Sequence, residues 1–289
     1  MTLPGFTDHL LTPNGVKIAF SQGGSGPPLL MLHGFPQTRA MWTHIAPGLA
    51  RTHRVICPDL RGYGGSGKPP EVDAYSFREM ARDMTALMSE LGHTTFGLVG
   101  HDRGARVAHR LALDAPNRVQ SVTLMDIIPT HTLLSELRAD VAKAYYHWFF
   151  LTQPEPFPET MIGHDPDAFY HACLLGWGGA QLSDFDEELL AHYRTAWRDP
   201  ETIRGMCNDY RAALTHDFAD DAADLGARIA CPTLVLYGAD GAMARAYDVP
   251  ATWAQKCTQL QSQTIPGGHF FPDTAPVETR TALQEFMAR

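Results

Sequence analysis

Gly100-His101-Asp102-Arg103-Gly104 is the stretch on which the fold is read. The apolar run Phe96-Gly97-Leu98-Val99 leads into it, and the apolar-periodic segment Val107 to Leu113 leads out. A strand, a sharp turn and a helix are therefore expected in succession. Glycines at both ends suit a strained strand-to-helix elbow that lifts one side chain above the sheet edge. In the Gly-x-Ser-x-Gly form of that elbow the raised side chain is a serine; here it is Asp102. A carboxylate can attack carbon directly and form an ester with the protein, without a base to remove a proton first. The positive end of the following helix favours its anionic form. The plainer alternative is a Gly-rich turn in which Asp102 simply caps that helix.

The chain has 289 residues, enough for one large domain or a domain with an insertion. Hydrophobic content of 44% and charged content of 19% describe an ordinary soluble globular composition. A formal charge of -9 argues against nucleic acid or an anionic membrane as partner, so a small anionic substrate would need dedicated Arg or Lys residues. No stretch approaches the ~20 apolar residues of a membrane span. Met1 to Leu11 lacks the basic region and apolar run of a secretory signal. The cysteines, Cys57, Cys173, Cys207, Cys231 and Cys257, are scattered and show no C-x-x-C spacing. They read as reduced thiols of a cytoplasmic protein, neither a disulfide framework nor a metal site.

Strands are expected at Val16 to Phe20, Pro28 to Leu32, Arg54 to Cys57, Phe96 to Val99, Val119 to Ile128, Ala230 to Tyr237 and Thr258 to Ile265. Helical spacing of Phe77, Met80, Met84, Leu87, Met88 and Leu91 predicts a helix from Tyr75 to Leu91, stopped by Gly92. A closing helix is expected from Pro276 to Met287. Alternating strands and helices imply an α/β fold, a largely parallel sheet covered by helices on both faces. From about Pro129 the chain turns helical and aromatic, with no sheet-like run before Ala230. The expected division is a core of residues 1–129 and 221–289 with a helical lid, residues 130–220, inserted between two strands.

The loop His33-Gly34-Phe35-Pro36 follows the second of these strands. In proteins with this elbow, that loop and the residue after the nucleophile supply the two backbone N–H groups of an oxyanion hole. Here those are Phe35 and Arg103. The Gly-rich loop Asp59 to Ser66 lacks the Gly-Lys-Ser/Thr ending of a phosphate-binding loop. His269, on the Gly-rich loop after the last strand, is placed to return over Asp102 as a base. Two strand-end acids, Asp126 and Asp240, compete to orient it. With a carboxylate nucleophile the base acts on a water that attacks the ester, not on the nucleophile itself.

Arg103 and Arg106 stand three apart on the elbow helix and share a face. Arg grips a carboxylate through two parallel hydrogen bonds, so the pair suggests a small carboxylate substrate; the alternative is surface ion pairing. His147-Trp148 and Tyr210 in the lid are donors that could converge on a departing halide, unless they are simple packing.

These residues resemble the fluoroacetate (haloacetate) dehalogenases of the α/β-hydrolase superfamily. The likeness spans essentially the full chain. It is carried by His33 to Thr38, Asp59 to Ser66, Gly100 to Val107, Asp126, His147-Trp148, Tyr210 and Gly267-Gly268-His269. The first two stretches are shared with haloalkane dehalogenases and epoxide hydrolases; the Arg pair and the lid donors are more specific. The resemblance implies Asp102 as nucleophile, His269 as base and Asp126, not Asp240, as the acid. It also implies Arg103 and Arg106 as carboxylate ligands, His147, Trp148 and Tyr210 as halide ligands, and Trp177 as a pocket-lining lid residue. The implied reaction, haloacetate to glycolate and halide, uses no metal or organic cofactor, and the implied assembly is a homodimer. An epoxide hydrolase is the alternative, kept open by Tyr145, Tyr146, Tyr170, Tyr193 and Tyr210. A non-catalytic ligand-binding protein of the same fold is a third, disfavoured by the retained Asp102 and His269.

Overall fold

A computed structural model describes residues 3–176 and 179–288. Eight strands, β1 (Thr7–Leu11), β2 (Ile18–Gly23), β3 (Pro28–Leu32), β4 (Arg54–Pro58), β5 (Phe96–His101), β6 (Val119–Met125), β7 (Ile229–Gly238) and β8 (Cys257–Ile265), form one sheet. Their order is β1-β2-β4-β3-β5-β6-β7-β8. The pairs β1/β2 and β2/β4 are antiparallel; every other pair is parallel. The central strands are buried on both faces, which is why Leu29 to Leu32 and Leu98-Val99 read as unbroken apolar runs and not as alternating ones.

The expected strand at Val16 to Phe20 begins two residues later and extends to Gly23, because Pro13–Gly15 forms a short helical turn just before it. The strand expected to reach Ile128 stops at Met125, where Asp126 takes up φ 51° and turns the chain off the sheet. The expected Tyr75–Leu91 helix is Phe77–Glu90. Ser76 caps it by accepting from Glu79 N–H at 3.2 Å, and Gly92 leaves it at φ 81°. Strand β1 carried no sequence signal. It is an edge strand with nearly every residue exposed, so nothing in it alternates.

Between β6 and β7 the chain is helical, from Thr130–Ser135 through Phe218–Ala223. These helices include Tyr146–Leu151, Glu187–Trp197 and Pro200–Ala212, whose apolar sides are buried. No helix among the described residues is long and apolar enough to cross a membrane.

The elbow is built by close approach. Gly100 lies against the backbone of Gly104 and Ala105, and Gly104 against the carbonyl groups of Leu32 and His33. A Cβ on Gly34 would stand 2.5 Å from Cβ of Asp102. Strand β3, its loop and the elbow can therefore meet only where side chains are missing. Gly104→Ala should lower stability by about 3 kcal/mol or more, since its methyl would meet backbone that cannot move aside. Thermal denaturation measures this; an unchanged melting temperature would contradict the close approach.

Candidate active site

Asp102 sits between β5 and the helix Arg103–Asp114 with φ 48° and ψ -114°, a conformation that non-glycine residues rarely adopt. It occupies the N-cap position, yet its side chain makes no capping bond. Instead Oδ1 accepts the Phe35 N–H at 2.9 Å, while Oδ2 lies 3.8 Å from Nε2 of His269. The simple capping role is thereby excluded. Arg103 opens the helix, so its N–H is one of the first-turn groups with no partner within the helix.

His269 is buried on the loop after β8. Its Nδ1 is 2.7 Å from Oδ2 of Asp126, and Oδ1 of Asp126 accepts the Gly238 N–H at 2.9 Å. The carboxylate accepts at Nδ1, which leaves Nε2 facing Asp102 as the basic nitrogen. Asp240, the rival acid, is exposed at the far end of the turn after β7. The elbow's own His101 contributes as well. Its Nε2–H donates to the His269 carbonyl at 2.8 Å, and burial together with the neighbouring His269 lowers its pKa to about 4, so it is neutral.

Burial opposes the charge on Asp102, but His269, His101, Arg103 and Arg106 together outweigh it and hold the pKa down at about 2. Asp102 is thus ionised at neutral pH.

The two arginines differ. Arg103 Nε donates to Oδ2 of Asp209 at 2.9 Å, and Nη2 donates to Oδ1 of Asp209 and, at 2.9 Å, to its carbonyl. Asp209 more than offsets the burial of Arg103 and raises its proton affinity. The guanidinium lies over Tyr210 at 4.3 Å, Phe77 at 4.6 Å and Trp148 at 5.0 Å. Only Nη1 is left without a hydrogen-bond partner among the described residues. Arg106 Nη1 donates to the Ile128 carbonyl and to Thr130 Oγ1, at 3.1 and 2.9 Å. Among the described residues Arg106 has no carboxylate within salt-bridge distance. Burial, and then the like charge of Arg103, lower its proton affinity. Neither arginine is a surface residue.

His147, Trp148 and Tyr210 are brought together beside the Phe35 loop. The Phe35 ring stacks on His147 at 5.6 Å, and Tyr210 stands edge-on to Phe35, His147 and Trp148 at 5.1 to 5.4 Å. Trp148 Nε1 and Tyr210 Oη are buried donors without a partner among the described residues. Burial holds His147 well below the ordinary imidazole pKa and Tyr210 well above the ordinary phenol pKa; both feel the charge of Asp102. All three are therefore neutral donors. Trp177 lies outside the described residues.

A family model described as the alpha/beta hydrolase fold matches residues 27–276. The chain belongs to the α/β-hydrolase family. A fluoroacetate dehalogenase from Burkholderia sp is 49% identical over 98% of this chain and 94% of its own length. A soluble epoxide hydrolase from Corynebacterium sp. (strain C12) is 30% identical over 93% of each. A crystal structure of a provisional α/β hydrolase from Nostoc sp PCC 7120 superposes with a TM-score of 0.96, at 46% identity over 98% of both chains.

Two acids of this α/β-hydrolase escaped the sequence reading. Asp209 had only its place beside Tyr210 to mark it; a search for counter-ions to the Arg pair would have found it. Asp273, four residues after His269, ties three segments together: it accepts from Tyr193 Oη at 3.0 Å and from Gln37 Nε2. Burial pushes its pKa up to about 7. An unfolded Asp titrates near ~3.9, so the folded protein holds this proton more tightly. The stability it contributes is complete below about pH 4 and is lost as the pH rises through about 7. Asp273→Asn should remove that part of the decline, gaining stability relative to wild type at pH ~8 but not at ~5. Melting temperatures across this range check it, and parallel curves would contradict it.

Proposed function

We propose that the chain hydrolyses the carbon–halogen bond of a small 2-haloacid, fluoroacetate or chloroacetate, giving glycolate and halide. Arg106 carries the reading: it is a buried guanidinium without a carboxylate partner among the described residues, one helical turn beyond Asp102. A buried cation in that state is costly until an anion meets it. The identity to the Burkholderia fluoroacetate dehalogenase supports the same substrate class.

In this reading Arg106 and the remaining Nη1–H of Arg103 hold the substrate carboxylate. Oδ2 of Asp102 attacks the α-carbon in line with the departing halide, which leaves toward His147, Trp148 and Tyr210. The carbon–halogen bond breaks as the carbon–oxygen bond of a glycolyl ester forms. His269, oriented by Asp126, then takes a proton from water through Nε2, and the hydroxide attacks the ester carbonyl carbon. The Phe35 and Arg103 N–H groups receive the negative charge that grows on Oδ1. As the intermediate collapses, His269 returns its proton to the leaving glycolate oxygen, and Asp102, now carrying the oxygen from water, gives up the remaining proton to solvent. Water supplies the oxygen and no electrons are exchanged, so the balance calls for neither a metal nor an organic cofactor.

Residues 130–220 act in this account as a lid over a core of residues 1–129 and 221–289, closing the site against water. Five free cysteines support a cytoplasmic setting. A homodimer accords with the exposed Phe157 and Met161, one turn apart on the lid helix Phe157–His164.

The second reading is an epoxide hydrolase, favoured by buried Tyr145 and Tyr210 within reach of the charge on Asp102. A neutral epoxide gives Arg106 nothing to balance, which places it second.

Ion-selective electrodes should record halide release from chloroacetate or fluoroacetate by wild type and none by Asp102→Ala. His269→Ala should slow turnover ~10²–10⁴-fold and accumulate a glycolyl ester visible by intact mass. No release from either haloacid would overturn the proposal, and styrene oxide hydrolysis would then test the second reading.

A further inference from the structure

The elbow helix points two guanidinium groups into one buried site, and the two are not in the same state. Arg103 has spent two of its three nitrogens on Asp209, which sits on the lid helix Pro200–Ala212 immediately before Tyr210. Asp209 is itself fixed from the core side, accepting the Tyr63 hydroxyl at 2.6 Å. Both members of the pair are fully buried. Arg106 has no such partner among the described residues. A small carboxylate entering here therefore meets one charge already neutralised and one that is not.

We propose that Asp209 is a charge-setting positioning residue: it neutralises Arg103, so that Arg106 alone balances the ligand carboxylate and the site does not trap anions. This rests on the carboxylate-binding reading above. The chemistry requires such a limit. Substrate, halide and glycolate are all anions, and the two products must leave. A second unbalanced cation would hold each of them more tightly in this buried setting. It would also stabilise the resting charge of Asp102, which has to be surrendered in the attack. Asp209 keeps Arg103 as a fixed neutral-pair donor, with Nη1 left to donate and the guanidinium held against the Tyr210 and Trp148 rings.

The test compares two ligands of nearly equal size, acetate and acetamide, by ligand-dependent thermal shift, which does not depend on turnover. In Asp209→Asn the preference for acetate over acetamide should rise at least about tenfold, since one net positive charge is added. With chloroacetate, KM and the glycolate inhibition constant should both fall, and kcat should fall with them. Asp209→Glu, which restores the charge, should return the preference toward wild type.

Should Asp209→Asn fail to fold, Arg103→Gln combined with Asp209→Asn decides. It loses the Nη1–H contact to either ligand, so both should weaken by up to about tenfold, but acetate should still be preferred because Arg106 remains. Equal weakening of both ligands in Asp209→Asn, or loss of the acetate preference in the double variant, would overturn the proposal. Failure of wild type itself to prefer acetate would instead overturn the carboxylate-binding reading on which it rests.

Discussion

The charge on Asp102 is buried, with the residue 3% exposed, and the rest of the structure answers to that. A carboxylate moved out of water ordinarily protonates sooner than pay several kcal/mol for desolvation. Here the surrounding positive groups reverse the outcome, and the pKa falls to about 2. The backbone takes part as well. The Phe35 N–H binds Oδ1, so on the proposed route the donor is already in position where charge would grow. Burial that weakens an acid elsewhere thus leaves this one ionised and poorly solvated, a strong position for a nucleophile.

The same field is assembled from parts far apart in sequence. The elbow brings Arg103 and Arg106, the turn after β6 brings Asp126, and the last loop brings His269. The helical segment adds Asp209 and Tyr210. Breaking a buried pair such as Arg103–Asp209 by removing one partner costs ~3–5 kcal/mol, because the other charge is stranded. That pair spans the elbow helix and the helices inserted between β6 and β7. Docking of the inserted segment and the electrostatics of the site are consequently one problem. Asp273 makes a second such tie, from the His269 side to Tyr193 and Gln37.

Much of this was legible in the sequence where local rules hold. The buried parallel strands, the Phe77–Glu90 helix and the closing Pro276–Met287 helix follow from apolar runs, spacing and caps. The elbow was legible because its glycines and its central acid are contiguous. Strand β1 was not, since an exposed edge strand carries no alternation. Residue pattern alone also left Asp126 and Asp240 level; the family resemblance favoured Asp126, and Asp126 is the acid that meets Nδ1 of His269. Asp209 and Asp273 were silent for a further reason. Their partners are 106 and 236 residues away in the chain, and a lone acid on a helix has no pattern of its own.

The most direct test of a covalent route through Asp102 is a single turnover of chloroacetate in heavy-oxygen water with enzyme in excess. Attack by Asp102 predicts glycolate whose hydroxyl oxygen is light, taken from the carboxylate, with one heavy oxygen left on Asp102 in the digested peptide. Heavy oxygen in that first glycolate, with an unlabelled Asp102, would mean that water attacks the substrate directly and would contradict the account.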